Sequence, residues 1–227
     1  MVNETVFTIM AKKPQRGKTK TRLCPALSQQ EAVALYEALL LDTITLVADL
    51  RWADLTIAIT PPESGRYFES VTPDGTLLLP VEGKDIGECL AQVMDTLLGM
   101  GYRKALALNS DGPSLPPEYL VQAARYLDDK DIVLGPGHDG GYYLVGMSCP
   151  HPEIFDDIDW STERVLSQTL ERARILGLRA ALTPQWYDVD TPGDLARLQA
   201  DLKHLSPDNL IHCRKFLAVN KLNFQPD

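Results

Sequence analysis

The stretch from Thr5 to Leu23, TVFTIMAKKPQRGKTKTRL, decides how this chain is read. Its first half holds an apolar run, Val6, Phe7, Ile9 and Met10, with the character of a buried strand. The run stops abruptly in a loop loaded with positive charge. Lys12, Lys13, Arg16, Lys18, Lys20 and Arg22 are six of the 22 basic residues, gathered into eleven positions, and the nearest acids in sequence are Glu4 and Glu31. In a protein of net charge −9 such a loop holds together against its own repulsion, so a polyanion is its natural partner. Gly17 and the small Thr19 and Thr21 let the backbone come close to a ligand. After Cys24 and Pro25, Ser28-x-x-Glu31 makes a capping box that opens a long amphipathic helix. A strand, a basic loop and a helix N-terminus are a common way to hold phosphates in an α/β protein. The competing reading is a set of solvated lysines. The position of the loop decides against it, because open α/β sheets bind ligands where the first strand ends. Gly17-Lys18-Thr19 ends like a Walker A loop, but that pattern needs a glycine where this chain has Lys12, so a P-loop NTPase is excluded.

Composition narrows the class. A chain of 227 residues is long enough for one sizeable domain, which would bury roughly 70 % of its unfolded surface. At 44 % hydrophobic and 23 % charged it is an ordinary globular composition without repeat, low-complexity segment or linker. The acidic balance argues against general nucleic-acid binding, which needs a broad basic surface. The richest apolar run, Val33 to Leu50, carries Glu37, Asp42 and Asp49, so no membrane span is expected. The N-terminus lacks a signal-peptide core, and the expected location is the cytoplasm. Cys24, Cys89, Cys149 and Cys213 read as separate reduced thiols, and His138, His151, His204 and His212 form no zinc pattern.

Strands are expected over Val6–Met10, Leu55–Thr60, Thr76–Leu79, Ala105–Leu108, Ile132–Leu134, Tyr142–Met147 and Leu178–Leu182. Helices are expected from Ser28 to near Asp49, through Leu90–Leu97, from Pro116-Pro117, from Ser161-Thr162 to Gly177, and from Thr191-Pro192, with turns over residues 63–75. This alternation implies a single α/β domain with a mostly parallel mixed sheet covered by helices on both faces. The core spans about residues 5–203 and a helical tail residues 206–227. The tail's short helix, Leu210 to Val219, docks on the body or on a second subunit, which leaves a homodimer open.

Three constellations carry chemistry. Asp111 directly follows an apolar strand, inside Asn109-Ser110-Asp111-Gly112-Pro113, where such folds hold a metal or a catalytic acid. In Asp188-Val189-Asp190-Thr191-Pro192-Gly193-Asp194, capping explains Thr191, Pro192 and Asp194. It leaves Asp188 and Asp190, which alternate with Val189 and face the same side. Asp111 with Asp190 would suit Mg²⁺, which in phosphate sites takes one or two protein carboxylates; Asp188 competes with Asp190 for that role. In Asp139-Gly140-Gly141-Tyr142-Tyr143 two glycines beside a carboxylate mark a close backbone approach, and an Asp-Gly hairpin turn explains the first two residues equally well. Trp160-Ser161-Thr162 reads as a helix N-cap beside a half-buried aromatic.

Taken in order, Lys12-x-Pro14-x-x-Gly17-x-x-Lys20-Thr21-Arg22-Leu23, Ser110-Asp111-x-Pro113, Asp139-Gly140-Gly141-Tyr142-Tyr143-Leu144-x-Gly146, Trp160-Ser161-Thr162 and Asp188-x-Asp190-Thr191-Pro192-x-Asp194-Leu195 resemble a bacterial family of GT-A-type glycosyltransferases in the nucleotide-diphospho-sugar transferase superfamily. The first and last motifs also look like 2-phospholactate guanylyltransferase, and the Asp-Thr-Pro ending like that of sugar-acid cytidylyltransferases. The resemblance implies a GT-A-like fold and a transferase that binds a nucleotide or nucleotide-sugar and a small-molecule acceptor. It makes Asp111 and Asp190 ligands of Mg²⁺ or Mn²⁺, and Lys20 and Arg22 phosphate contacts. Lys12, Gly17, Thr21, Ser110, Gly140 and Gly141 complete the expected nucleotide and phosphate site, with Asp139 and Lys20 as candidate catalytic residues. Two departures stand out: Ser110-Asp111-Gly112 replaces the Asp-x-Asp of typical GT-A enzymes, and KPQRGKTKTR replaces the glycine-rich loop of typical sugar nucleotidyltransferases. Three functions follow: transfer from a nucleotide-diphospho-sugar, transfer of a nucleotidyl group with release of pyrophosphate, or nucleotide binding without turnover.

Overall fold

The computed structural model describes residues 3–24 and 26–220. Pro25, ahead of the first capping box, and residues 221–227 of the expected tail lie outside the described residues. The chain runs β1 (Thr5–Lys12), α1 (Gln29–Ala48), β2 (Asp54–Thr60), α2 (Gly65–Glu69), β3 (Leu77–Pro80), α3 (Ile86–Gly99), β4 (Lys104–Leu108), α4 (Pro117–Tyr126), β5 (Ile132–Pro136), β6 (Tyr142–Met147), α5 (Val165–Ile175), β7 (Ala180–Leu182), α6 (Pro192–Asp201) and α7 (Ile211–Asn220). The seven strands form one sheet in the order β3-β2-β1-β4-β6-β5-β7. β6 alone runs antiparallel to its neighbours, β4 and β5; the other pairs are parallel.

Alternation along β1 explains its central place. Phe7 and Ile9 point to one face, into a core with Leu40, Ile44 and Val47 of α1 and Leu120 of α4. Val6 points to the other, where Val93 and Leu97 of α3 and Ala173 of α5 pack with Val145 and Met147. Each such side chain, fully buried, contributes about 1.5–3 kcal/mol. A third cluster joins Leu35 and Leu39 of α1 to Tyr187, Val189, Leu195 and Phe216, so α7 docks on the body.

Local signals fix the helix starts. Ser28 accepts from the Glu31 amide while the Glu31 carboxylate accepts from the Ser28 amide, and Thr191 and Asp194 repeat the box at α6. Expectation and structure part at three places. The turn-rich segment after Thr60 contains the short helix α2, a single turn that periodicity is too short to show. A 3-10 turn at Pro152–Phe155 was likewise not foreseen. α5 begins at Val165 rather than at Ser161-Thr162, because Ser161 is held at φ 65°, a left-handed conformation that a helix cannot incorporate.

Candidate functional site

The parallel order places β2 and β3 on one side of β1 and β4 on the other. Between β1 and β4 the connections diverge, and there the C-terminal ends of the strands open a crevice. A cleft of about 950 Å³ occupies it, lined by residues of the basic loop, the Asn109–Asp111 turn, Asp139, Gly141 and Tyr142, Trp160–Glu163, and Asp188 and Asp190.

At its centre Lys20 Nζ lies 2.5 Å from Asp111 Oδ2 and 2.7 Å from Asp190 Oδ1, with only 5 % of the lysine side chain exposed. Three segments far apart in the chain meet at this point. The carboxylates are brought side by side by a main-chain bond from the Val189 amide to the Asp111 carbonyl, 3.0 Å. Lys20 itself stands at φ 48°, the left-handed entry to the 3-10 turn Thr21–Leu23. The preceding loop is pinned by the amides of Lys18 and Thr19 on the Gln15 carbonyl and by the Gln15 amide on Thr19 Oγ1. Burial works against the Lys20 ammonium, but Asp111 and Asp190 outweigh it and hold the pKa above its ordinary value.

Asp188 is different from Asp190. Its Oδ1 is shut off from solvent and has no hydrogen-bond partner. Burial, then the Asp111 charge, pushes its carboxyl well above the usual range, against a hydrogen bond from Asn109. Asp190, 40 % exposed, faces the cleft beside Lys20. Ser110 lines the cleft but its hydroxyl is engaged with Tyr36 Oη at 2.8 Å, and Tyr36 Oη in turn accepts from the Lys12 amide at 3.1 Å. Lys12, Lys13, Lys18 and Arg22 also line the cleft, and among the described residues none of them forms an ion pair.

The far wall is built on itself. Asp139 Oδ1 accepts from the Gly141 amide at 2.9 Å, closing its own turn and leaving the second oxygen uncommitted. Gly140 has φ +85°, and a Cβ there would lie 2.2 Å from the Glu163 carbonyl oxygen. The close approach expected from the glycine pair is therefore chain against chain. It is secured by the Leu166 amide on the Gly140 carbonyl, 2.9 Å. Trp160 sits so near Gly87 that an added Cβ would be 2.6 Å from its ring.

Of the expected site residues, Lys12, Lys20, Thr21, Arg22, Ser110, Asp111, Asp139, Gly141 and Asp190 come together in the cleft. Gly17 and Gly140 do not line it, and neither does the α1 N-terminus at Ser28–Glu31: the turn Thr21–Leu23 intervenes and α1 offers Tyr36 instead. Tyr36, Asn109 and Glu163 were missed. Tyr36 lies at an apolar-face spacing of α1 that carries no sign of a site, Asn109 stood in the Asn109–Pro113 motif without a role of its own, and no sequence pattern singles out Glu163.

A sequence profile of a family described as an uncharacterized protein conserved in bacteria (DUF2064) matches residues 43–162. The chain belongs to this family. Over their full lengths, this DUF2064 member and a candidate nucleotide-diphospho-sugar transferase from Desulfovibrio desulfuricans G20 are 30 % identical, with a TM-score of 0.88. A cytidylyltransferase from Leptospira borgpetersenii is 11 % identical, covers 99 % of this chain and 98 % of its own, and superposes with a TM-score of 0.56. A CMP:2-keto-3-deoxy-manno-octonic acid synthetase solved with CTP is 13 % identical over 88 % of this chain and 98 % of its own, at 0.51. These distant pairs show the shared fold, that of the nucleotide-diphospho-sugar transferases, and every one of these neighbours is described as a transferase or synthetase. No curated protein sequence matches significantly. Among the described residues no helix is long and apolar enough to cross a membrane.

Proposed function

We propose that the protein is a metal-dependent transferase that takes a nucleotide-diphospho-sugar as donor and passes its sugar to a small acceptor. The observation that carries this reading is the meeting of Asp111 and Asp190 on one Lys20 ammonium, at the head of a cleft lined by four unpaired cations. The residues fit a hard divalent cation. Two carboxylates converge on a single point, and Asp188 adds a buried oxygen without a partner. Among the described residues no cluster of three or more metal-binding side chains exists, so Mg²⁺ or Mn²⁺ would rest on Asp111 and Asp190 with phosphate oxygens and water around it. When bound, such a cation neutralises charge on the leaving diphosphate.

The chain's own groups do the remainder. Lys12, Lys20 and Arg22 contact the diphosphate and hold it against the strand ends, where their charge grows in value as water is excluded. Tyr36 and Ser110 fix the Lys12 main chain at that edge. Asp139 stands on the acceptor side and takes the hydroxyl proton through the oxygen that Gly141 does not hold. A second reading, nucleotidyl transfer from an NTP with loss of pyrophosphate, is favoured by one observation: four unpaired cations exceed what a diphosphate requires. The anionic acceptor of that reaction needs no base.

A thermal-shift panel of NTPs, NDPs and NDP-sugars, each with Mn²⁺, Mg²⁺ or EDTA, tests the proposal. A ligand at one hundred times its Kd adds about 2.7 kcal/mol, which moves the melting point visibly. We expect one NDP-sugar to stabilise more than its NDP, and only with metal. Stabilisation by an NTP and by no NDP-sugar moves the protein to nucleotidyl transfer; equal shifts in EDTA remove the metal.

A further inference from the structure

The Lys20 ammonium occupies the point on which Asp111 and Asp190 converge, which is where a cation shared by the two carboxylates would sit. A metal and this ammonium cannot both hold that position. The backbone on either side of Lys20 is tied down, by Thr19 and Gln15 before it and by fully buried Leu23 after it. The side chain is a flexible four-carbon stem carrying a point charge, and it can move while its Cα stays. Among the described residues the other cleft cations have no ion-pair partner, so an incoming polyphosphate finds Lys20 as the cleft cation already committed elsewhere.

We propose that Lys20 is an internal counter-ion that competes with the divalent cation, so that loading of the site is an exchange. The ammonium leaves Asp111 and Asp190 for the incoming phosphate oxygens as the metal takes its place. Without nucleotide the lysine offsets one of the two carboxylate charges and keeps the metal site closed. With nucleotide the same charge is delivered to the diphosphate, and the metal is admitted only together with its substrate. No bond to carbon or phosphorus changes in this step; three charged groups trade partners. The inference rests on the two-carboxylate metal site proposed above.

Mn²⁺ binding to the full chain, followed without nucleotide by titration calorimetry and by the electron-spin-resonance signal of free Mn²⁺, tests it. If the ammonium leaves the pair one tenth of the time or less, removing it tightens Mn²⁺ binding by about tenfold or more. Lys20→Met is expected to show that gain, whereas Lys18→Met, which removes the same charge from an unpaired position on the cleft, is expected to stay within about twofold of the parent. In EDTA Lys20→Met should melt below the parent, and Mn²⁺ should restore more of its stability than it adds to the parent. Should methionine impair folding, Lys20→Gln removes the charge while leaving a polar amide at the position and carries the same comparison. An unchanged Mn²⁺ affinity in the Lys20 variants, or an equal gain in Lys18→Met, overturns the exchange. Asp111→Asn in the Lys20→Met background separates this from failure of the site itself: if the double variant binds Mn²⁺ as tightly as Lys20→Met alone, the two-carboxylate site is wrong whatever Lys20 does.

Discussion

The two walls of the cleft are both loops at strand ends, and both looked like binding loops in the sequence, yet they are stabilised in opposite ways. On the basic wall, charges remain unspent: among the described residues four cations lack an ion pair, and the fifth reaches across 91 and 170 residues to its acids. On the far wall the main chain is held by its own local contacts, while the second Asp139 oxygen and the Glu163 carboxylate stay without a partner among the described residues. Asp139 closes a turn on Gly141, Gly140 lies against Glu163, and Trp160 rests on Gly87. A loop that satisfies itself is a scaffold; one that leaves polar groups unmatched awaits a ligand. The pattern of partners therefore separates the two roles better than residue type does.

The comparison breaks first at Gly140. Alanine there combines left-handed strain of about 1 kcal/mol with a steric clash of about 2 kcal/mol, since its Cβ would meet a carbonyl oxygen at 2.2 Å. We expect Gly140→Ala to lose about 3 kcal/mol in denaturant unfolding; a variant as stable as the parent would show that the far wall is not packed as described. On the basic wall the expected loss is of ligand and not of fold. Asp190→Asn should melt like the parent in EDTA, yet forfeit the metal-dependent gain of about 2.7 kcal/mol that saturating ligand gives. Retention of that gain would remove Asp190 from the site.

Asp139 sharpens the contrast, because it belongs to the scaffold by one oxygen and to the cleft by the other. Asparagine preserves the turn, so Asp139→Asn should leave stability unchanged while lowering turnover about a hundredfold, the smaller end of what general-base loss brings. Full turnover would free Asp139 of the proton and leave Glu163, whose carboxylate has no partner among the described residues, as the remaining acid on that wall. A pair outside both walls supplies the scale. Hydrogen bonds from Arg179 hold the Asp131 carboxyl down at about 2 from an ordinary 3.8. A depressed carboxylate stabilises the fold above its ordinary pKa, and that contribution fades as pH falls from about 3.8 through about 2. Arg179→Ala should raise the Asp131 carboxyl toward 3.8 in a carboxyl-detected NMR titration. Both partners are solvent-facing, so the cost at neutral pH should be only a few tenths of a kcal/mol.

Much of the fold was legible because its signals are local. The two capping boxes announced α1 and α6, and an apolar run with flanking turns gave β6 its limits from Tyr142 to Met147. The reversal of β6 against β5 was legible in the Asp-Gly hairpin reading, but its antiparallel pairing with β4 was not, since that depends on partners about forty residues away. The same distinction holds at the site. The loop, Asp111 and Asp190 could each be named from their neighbours in sequence. The bridge that joins them could not, because Lys20 reads identically whether it points to water, to phosphate or between two acids. Gly17 and Gly140 were assigned to the ligand because glycine reports only that something is close, without saying what.

The docking of α7 has a consequence for what α1 can bury. Leu210, just ahead of that helix, has no side-chain oxygen to cap it. The cap comes instead from Asp42 in the middle of α1, 4 % exposed, which accepts from the His212 amide at 3.1 Å and the Cys213 amide at 2.8 Å. Until α7 docks, the Asp42 carboxylate lies on a part of α1 that is open to water, and docking exchanges that water for the two amides. A chain cut short before α7 leaves Asp42 hydrated and uncovers the apolar side chains of α1, Leu35 and Leu39 among them, that cluster with Phe216 and Leu217. α7 thus acts as a seal, covering an apolar stretch of α1 and supplying the donors that let a carboxylate be buried there.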